Sequence, residues 1–386
     1  MANWRRVRLG EICKFKYGEM PKKGELASDG YPVYSGYRRV GFSPRYHYAE
    51  PEIIVVARGV GGTGDIKMTP PFCFLTNLSI AILLESAEVF KPFLFYRLSA
   101  TTLWELRTGS AQAQITIERL KDFEVEFPPL PVQRRIAGVL SAYDELMENS
   151  QRRIRVLEAM AAALYREWFV HFRFPGHEKL PRVASPLGDI PQGWEVKPFT
   201  EIADVLSGGT PKTDVAEYWD GEIPFFTPRD VPDCFYVQDT DKHTNELGLS
   251  KCASELYPPD TVFITARGTV GKVALPSVPM AMNQSCYALR GKPGIPQRYL
   301  FLMTLQRVDY LKTNTGGATF DTIVVDTFRR MEVVKPAREI VARFAKKTDA
   351  IFEQVNTLQR QIQNLRRTRD LLLPRLLSGQ VSLRTN

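Results

Sequence analysis

Residues 4–22 read WRRVRLGEICKFKYGEMPK, and residues 194–212 read WEVKPFTEIADVLSGGTPK. The two stretches share a tryptophan, a Glu-Ile pair, a glycine and a Pro-Lys pair, all at the same spacing and with a constant offset of 190 positions. Self-similarity at a fixed period marks a repeat architecture. The sequence therefore predicts that the chain is a tandem duplication.

Four further matches follow in the same order in both copies. They are IIVVARGVGG (53–62) with VFITARGTVG (262–271), LTNLSIAILL (75–84) with AMNQSCYALR (281–290), RTGSAQ (107–112) with NTGGAT (314–319), and a proline, Pro131 or Pro336, that precedes a long helix. The repeated unit is thus a globular domain followed by a long helix.

Each globular domain combines many short strands with one or two helices. Gly and Pro separate the strands, and helical patterns cover Lys91 to Leu106 and Gln297 to Thr313. Because the strands are numerous and irregularly spaced, we expect an α+β fold and not a doubly wound sheet.

Two long segments carry apolar residues in a 3,4 alternation, which predicts a coiled coil. The first segment runs from Val132 to about Val170 and is interrupted by Ser150; its seam is Ile136, Leu140, Tyr143, Met147, Ile154, Leu157, Ala161, Leu164 and Trp168. The second seam is Val341, Phe344, Thr348, Ile351, Val355, Leu358, Ile362, Leu365 and Leu372. We expect the two helices to pair antiparallel and to separate the domains, as a rod of about 58 Å.

This organisation predicts four segments that differ in net charge. They are a first globular domain (1–130, +3), a central helix and linker (131–180, +2), a second globular domain (181–335, −3), and a C-terminal helix and tail (336–386, +6). The overall charge of +8 suggests a polyanionic partner, although it would equally aid solubility.

Composition argues against several classes of protein. Apolar runs such as Ile80 to Leu84 are far shorter than the roughly 20 residues of a membrane span. The basic, polar start does not resemble a signal peptide, so we expect a cytoplasmic protein without membrane contact. The cysteines Cys13, Cys73, Cys234, Cys252 and Cys286 have no metal-binding or disulfide spacing, and no metal site is expected.

Three short motifs suggest catalysis but lack its context. Residues 59–64 fit GxGxxG, yet prolines follow where a phosphate-binding helix would begin. The stretch 69–72, TPPF, has threonine where a methyltransferase needs Asn or Asp. Pro259-Asp260 lacks the further acidic ligands that Mg²⁺ requires. These absences favour a binding protein over a nuclease or a methyltransferase.

The whole chain resembles the specificity (S) subunit of Type I restriction-modification enzymes. The resemblance rests on PPLPVQRRIAGVLSAYDELMENSQRRI (128–154), LYREWFVHFRFPG (164–176), PQGWEVKPFTEIADVLSGGTPKT (191–213) and LRRTRDLLLPRLLSGQV (365–381). It implies a non-catalytic subunit whose two target-recognition domains each read one half of a split site in double-stranded DNA. It also implies helices that act as a ruler and dock two methyltransferase (M) subunits.

The same resemblance places every cofactor on partner subunits. It implies S-adenosylmethionine on the M subunits, and ATP and Mg²⁺ on restriction (R) subunits that act as the motor; none is expected on this chain. The net acidic second domain departs from the expectation of phosphate contacts. A repeat-built interaction scaffold with no nucleic-acid role is the alternative, and a gel shift with genomic fragments separates the two hypotheses.

Candidate DNA contacts lie at equivalent places in the two copies. A guanidinium at a strand end can bind guanine or a phosphate, although it can equally brace its own loop. Where the copies diverge, aromatic and basic side chains in the first domain stand opposite a polar run in the second. The candidates are Arg58, Arg267, Lys22, Lys212, Lys272, Tyr37, Arg38, Arg39, Thr227 and Arg229.

Overall fold

The computed structural model describes residues 4–22, 24–36, 38–59, 62–101, 103–108, 113–314 and 322–381. The chain forms two compact units: unit 1 comprises Met1–Leu146 and Leu365–Asn386, and unit 2 comprises Met147–Asn364. Both transitions between the units fall inside long helices. The four domain limits expected from the sequence stay a prediction.

Strands and helices alternate irregularly along the chain, as an α+β fold requires. The strands are β1 (Arg5–Arg8), β2 (Cys13–Tyr17), β3 (Tyr31–Ser35), β4 (Arg38–Ser43), β5 (Ile53–Val56), β6 (Ile66–Met68), β7 (Phe74–Leu75), β8 (Ser79–Leu84), β9 (Glu124–Phe127), β10 (Arg182–Val183), β11 (Ile190–Pro191), β12 (Glu195–Pro198), β13 (Ala203–Ser207), β14 (Ile223–Phe226), β15 (Tyr236–Val237), β16 (His243–Thr244), β17 (Val262–Thr265), β18 (Val273–Pro276), β19 (Ala281–Met282), β20 (Cys286–Gly291) and β21 (Glu332–Lys335). The α-helices are α1 (Leu9–Ile12), α2 (Lys91–Ser99), α3 (Ile117–Asp122), α4 (Leu130–Tyr165), α5 (Glu246–Ser250), α6 (Gln297–Thr313), α7 (Val325–Arg330) and α8 (Arg338–Leu377).

Unit 1 contains a four-stranded antiparallel sheet in the order β2-β8-β5-β6. A second sheet has the order β4-β3-β7, in which β3 and β7 run parallel. Strands β1 and β9 form an antiparallel pair before the long helix. The central strand β5 is Ile-Ile-Val-Val and is buried along its whole length, because its sheet is covered on both faces.

Unit 2 repeats these three sheets, extends the larger one by a strand, and also contains the separate antiparallel pair β10-β11. Its larger sheet has the order β13-β20-β17-β18-β15, its smaller sheet β16-β14-β19, and β12 pairs with β21. The added strand β15 lies parallel to β18 at the edge of the larger sheet. The duplication read from the sequence is therefore a duplication of strand order as well.

Within unit 1, the first part of α4 and the end of α8 close the core. Ile136, Ala137 and Leu140 belong to the same buried cluster as Leu376 and Leu377. Further along, a carboxylate oxygen of Asp144 lies 2.5 Å from a guanidinium nitrogen of Arg369. Because the higher-numbered residues of α4 meet the lower-numbered residues of α8, these segments run antiparallel.

Within unit 2, aromatic rings join the later part of α4 to the start of α8. The helix α4 ends in a π-helical turn, Arg166–Val170. The rings of Trp168 and Phe169 lie 5.6 Å and 5.0 Å from that of Phe344. Here too the higher-numbered part of α4 meets the lower-numbered part of α8, and burial of these rings stabilises the contact.

None of the helices in the described residues is long and apolar enough to span a membrane.

Candidate nucleic-acid interface

The β3–β4 hairpin of unit 1 presents basic residues at its turn. Arg38 and Arg39 begin β4 and are exposed, and the guanidinium carbon of Arg39 lies 5.1 Å from the centre of the Phe42 ring. Tyr37, the aromatic candidate beside them, lies outside the described residues.

Arg58 lies where β5 ends and lines a cavity of about 250 Å³ together with Tyr17, Asn77 and Gln114. One terminal nitrogen donates to the carbonyl oxygen of Asn77 at 3.4 Å, which is a weak bond. Its Nε atom is buried and has no partner among the described residues. The side chain is half-buried and lines the cavity, and it partly braces its loop while its Nε donor has no partner among the described residues.

The corresponding place in unit 2 is an open cleft of about 680 Å³. It brings the neighbouring candidates Thr227 and Arg229 together with Arg267, which is distant from them in the sequence. Arg267 is exposed, and its main-chain N–H donates to the carbonyl oxygen of Ser285 at 3.3 Å. Arg267 lines the cleft, and among the described residues its guanidinium has no hydrogen bond like the one from Arg58 to Asn77.

The cleft also contains residues that were not among the candidate DNA contacts. They are Thr210, Thr213, Trp219, Phe225, Pro228, Asp230, Asp241, Lys242, Gly268, Thr269, Asn283, Gln284 and Ser285. The Lys242 ammonium lies 5.5 Å from the centre of the Trp219 ring, a cation–π distance. Gln284 stands inside the repeated Asn-x-Ser motif, where the first copy has Leu78, and that divergence was the available signal.

The carboxylate of Asp230 shapes one wall of the cleft. It accepts hydrogen bonds from the Thr227 N–H and hydroxyl at 2.8 and 2.6 Å, and from the Asp241 N–H at 3.0 Å. Thr227 is thus a structural part of its turn. Three cationic side chains and two carboxylates line the cleft, so the recess has a formal charge of +1 although the segment 181–335 that forms it is net acidic.

Three lysine candidates do not line either cavity. Lys22, Lys212 and Lys272 are exposed. The main chain of Lys22 bonds to Glu25, and the carbonyl of Lys212 accepts from the Trp219 indole at 3.1 Å. Their ammonium groups can therefore contact a polyanion at the protein surface but not inside either cavity.

The predicted seam of the long helices is buried or half-buried throughout. Leu140, Met147, Ile154, Val355, Leu358 and Ile362 are buried, while Tyr143, Leu157 and Leu365 are half-buried. Thr348, a polar seam residue, is also buried and bonds to the carbonyl of Phe344 at 3.1 Å.

Acidic and thiol groups that suggested chemistry have other partners. Asp260 accepts from the Tyr236 hydroxyl at 2.7 Å and lies 3.1 Å from Arg298. The hydroxyl of Thr69 accepts from the Glu52 N–H. Among the described residues no three His, Cys, Asp or Glu side chains gather as metal ligands, and burial raises the pKa of the Cys13 thiol to about 12.

The two cavities are equivalent sites on one duplicated frame. Each is lined by the Arg that follows the strand β5 or β17 and by the Asn that precedes the strand β8 or β20. The remaining residues that line the two cavities differ. Fold and site together define a recognition protein with two related but non-identical binding units.

Comparison with known proteins identifies the family. The model of the Type I restriction modification DNA specificity domain matches residues 1–159 and again residues 191–367. The chain belongs to this family and carries two copies of its domain, so by family it is a specificity component and not an enzyme.

Similar proteins carry corresponding names. The Type I restriction enzyme MjaIX specificity subunit of Methanocaldococcus jannaschii is 31% identical over 159 residues, 40% of this chain and 37% of that protein. The HindI specificity subunit of Haemophilus influenzae is 24% identical over 81% of this chain and 77% of that protein. A crystal structure of a Type I system S subunit from M. genitalium shares the fold, with a TM-score of 0.65, 18% identity and coverage of 97% and 96% of the two chains.

Proposed function

We propose that this chain reads a split sequence in double-stranded DNA, one half with each unit, as the specificity subunit of a Type I restriction-modification complex. The observation that carries the proposal is the pair of equivalent cavities with a shared arginine and asparagine and different surroundings. A shared frame positions both units on DNA in one manner, whereas divergent side chains read different bases.

The chemistry of the cleft in unit 2 suits base edges. Arginine binds the O6 and N7 atoms of guanine, and glutamine binds the N6 and N7 atoms of adenine. Arg267, Arg229 and Gln284 offer these groups at the surface of one recess. The exposed Lys22, Lys212 and Lys272 suit the phosphate backbone, which contributes affinity without sequence information.

The long helices suit the docking of two methyltransferase subunits. Their seam is already buried, so a partner would bind the outer faces. There the apolar side chains of Leu146, Val156, Met160 and Leu371 are between 52% and 57% exposed. In this proposal the M subunits carry S-adenosylmethionine, the R subunits carry ATP and Mg²⁺, and this chain supplies neither cofactor nor catalysis.

Duplex binding tests the proposal. Methylated adenines mapped in the source strain would supply a split target, and fluorescence anisotropy would measure binding of the purified chain, alone and with its methyltransferase. We expect the target to bind at least roughly a thousandfold more tightly than unrelated DNA in the complex. Equal affinity for target and unrelated duplexes would favour the scaffold hypothesis.

A further inference from the structure

The connection between β14 and β16 distinguishes unit 2 from unit 1. In unit 1 only residues 36 and 37 join β3 to β4, whereas in unit 2 residues 227–242 join β14 to β16. We call residues 227–242 the long loop. It contains β15, which has no counterpart among the described strands of unit 1.

Both ends of the long loop line the cleft. Thr227, Arg229 and Asp230 stand at one end and Asp241 and Lys242 at the other. The Asp230 carboxylate joins the two ends through its bonds to Thr227 and Asp241. The position of the cationic groups in the cleft therefore depends on how the loop as a whole is held.

The middle of the long loop is bonded to both long helices. From α4, Glu158 accepts the Phe235 N–H at 2.6 Å. From α8, the Gln359 amide donates to the carbonyl oxygen of Tyr236 and lies 2.9 Å from the Cys234 sulfur. One turn away, the Gln238 amide donates to Asn356 at 2.9 Å.

Apolar contacts fix the same segment. The Phe235 ring lies 4.8 Å from that of Phe301 and 5.5 Å from that of Phe352 on α8. Two main-chain hydrogen bonds add to these contacts, from Leu275 in β18 to the Phe235 carbonyl at 2.8 Å and from Ser277, just after β18, to the Val237 carbonyl at 3.0 Å. The loop is thus anchored at its centre and free to present side chains at its ends.

Glu158 is an unusual residue for this position. It is half-buried on α4, and the described residues provide it with no ion pair. A carboxylate removed from water without a cation is destabilising, and an apolar residue would pack there at lower cost. The hydrogen bond from the Phe235 N–H explains why a glutamate occupies position 158, which helix packing alone does not explain.

We propose that Glu158 and Gln359 are positioning residues that hold the long loop so that Arg229 and Lys242 face the DNA half-site read by unit 2. This inference rests on the proposed function. It assigns to the helices a second role, in which helix side chains determine the sequence discrimination of one unit.

The test compares Glu158→Leu, Gln359→Leu and the conservative Glu158→Gln, whose amide oxygen still accepts the Phe235 N–H. Affinities would be measured for the target duplex and for duplexes altered in either half-site. We expect both leucine variants to lose roughly tenfold in discrimination at one half-site, the same half-site that Arg229→Ala affects, and none at the other. Glu158→Gln should retain most of the discrimination.

Gln361→Leu is the matched control, because Gln361 is an exposed glutamine on the same helix. Hydrogen exchange should show faster exchange of residues 234–238 in the leucine variants, with wild-type exchange in the strands of unit 1. Unchanged discrimination in folded variants, or an equal loss at both half-sites, would overturn the inference. If wild type itself discriminates no duplex, the proposed function fails instead.

Discussion

Arg58 and Arg267 occupy equivalent positions, yet their side chains are held differently. Arg58 is half-buried and reaches the Asn77 carbonyl, whereas Arg267 is exposed in an open cleft. We expect Arg267→Ala to weaken target binding by about 1–3 kcal/mol without a change in melting temperature. Arg58→Ala should weaken binding and also lower the free energy of unfolding, by about 1 kcal/mol.

Thermal unfolding and anisotropy on both variants check this difference, with Arg329→Ala as the control for loss of an exposed arginine. A base contact by Arg267 would relax discrimination at one position, and a phosphate contact would lower affinity uniformly. A lower melting temperature for Arg267→Ala with no separate DNA defect would contradict a recognition role.

Glu158 makes stability depend on pH. Burial raises its pKa to about 7, although the Phe235 N–H acts in the opposite direction. In the unfolded chain its pKa is about 4.3. Between these values the unfolded state binds fewer protons, so the free energy of unfolding falls as pH rises.

Glu158→Gln should therefore gain stability relative to wild type, on the order of 2 kcal/mol, as pH rises from 4.5 to 8. Of the neighbouring groups, the Cys234 thiol has a pKa raised to about 12 by burial and does not titrate in this range, and Asp233 is common to both proteins. Denaturant unfolding at several pH values measures the difference; a pH-independent difference would show that folding does not raise the pKa of Glu158.

At the scale of single residues, the sequence predicted the positions that both cavities share better than the side chains that surround those positions. The repeat located Arg58 and Arg267, and the divergence between copies indicated Thr227 and Arg229. Trp219 and Lys242 could not be found, because they come from segments without a counterpart in the first copy. Their approach to Arg267 depends on tertiary folding and not on spacing.

In our proposal, the lengths of the helices α4 and α8 determine the spacing between the two half-sites. The unit boundaries at 146/147 and 364/365 lie within α4 and α8. Inserting one heptad at each boundary keeps the seam on one face and adds about 10 Å of helix. At about 3.4 Å per base pair, we expect a gap in the DNA target longer by about three base pairs.

Affinity should fall as well, because three further base pairs also rotate one half-site about the DNA axis. Mapping methylated adenines in cells that carry the variant measures the gap. A one-helix insertion is the control, since it breaks the antiparallel register and should abolish recognition. An unchanged gap in a folded variant with both insertions would contradict the proposal that helix length sets the gap.

The periodicity of the sequence predicted the long helices but not the short elements. The expected helix from Val132 to Val170 is α4 with its π-helical end, and Gln297–Thr313 is helical as expected. The helix expected over Lys91 to Leu106 ends at Ser99, and a separate 3₁₀ turn covers Leu103–Leu106. The two-residue strand β15 has no pattern of its own, because only its distant partner β18 makes it a strand.

At the scale of the whole molecule, we expect one chain to bind two methyltransferase subunits. Val156 and Met160 are one helical turn apart on α4 and are 56% and 53% exposed. Replacing both with Asp should weaken methyltransferase binding by about 2 kcal/mol or more, because a desolvated charge opposes an apolar contact. DNA binding by the free chain should not change.

Light scattering coupled to gel filtration gives the stoichiometry, and titration calorimetry gives the affinity. Gln151→Asp, an exposed polar position on the same helix, is the control for added charge. A wild-type chain that never associates with the methyltransferase would contradict the docking proposal, as would full association by the double variant.

The organisation of the molecule was the part most readily predicted, because duplication leaves its mark along the entire chain. What the repeat did not reveal is that unit 1 is discontinuous. Residues 365–386 belong to it, and the tail reaches its core: Leu376 and Leu377 are buried beside Leu140. No local pattern encodes that pairing, which depends on the antiparallel course of two helices that are distant in the sequence.

That closure has a consequence for synthesis on the ribosome. Domains generally fold as units while the chain emerges, at about 5–20 residues per second. The N-terminal strands leave the tunnel first, but the residues that complete their core are among the last to be translated. The core of unit 1 therefore stays incomplete, with hydrophobic surface exposed, until translation is nearly finished. A chain truncated before Leu376 would fail to fold its N-terminal domain as well as lose the end of its last helix.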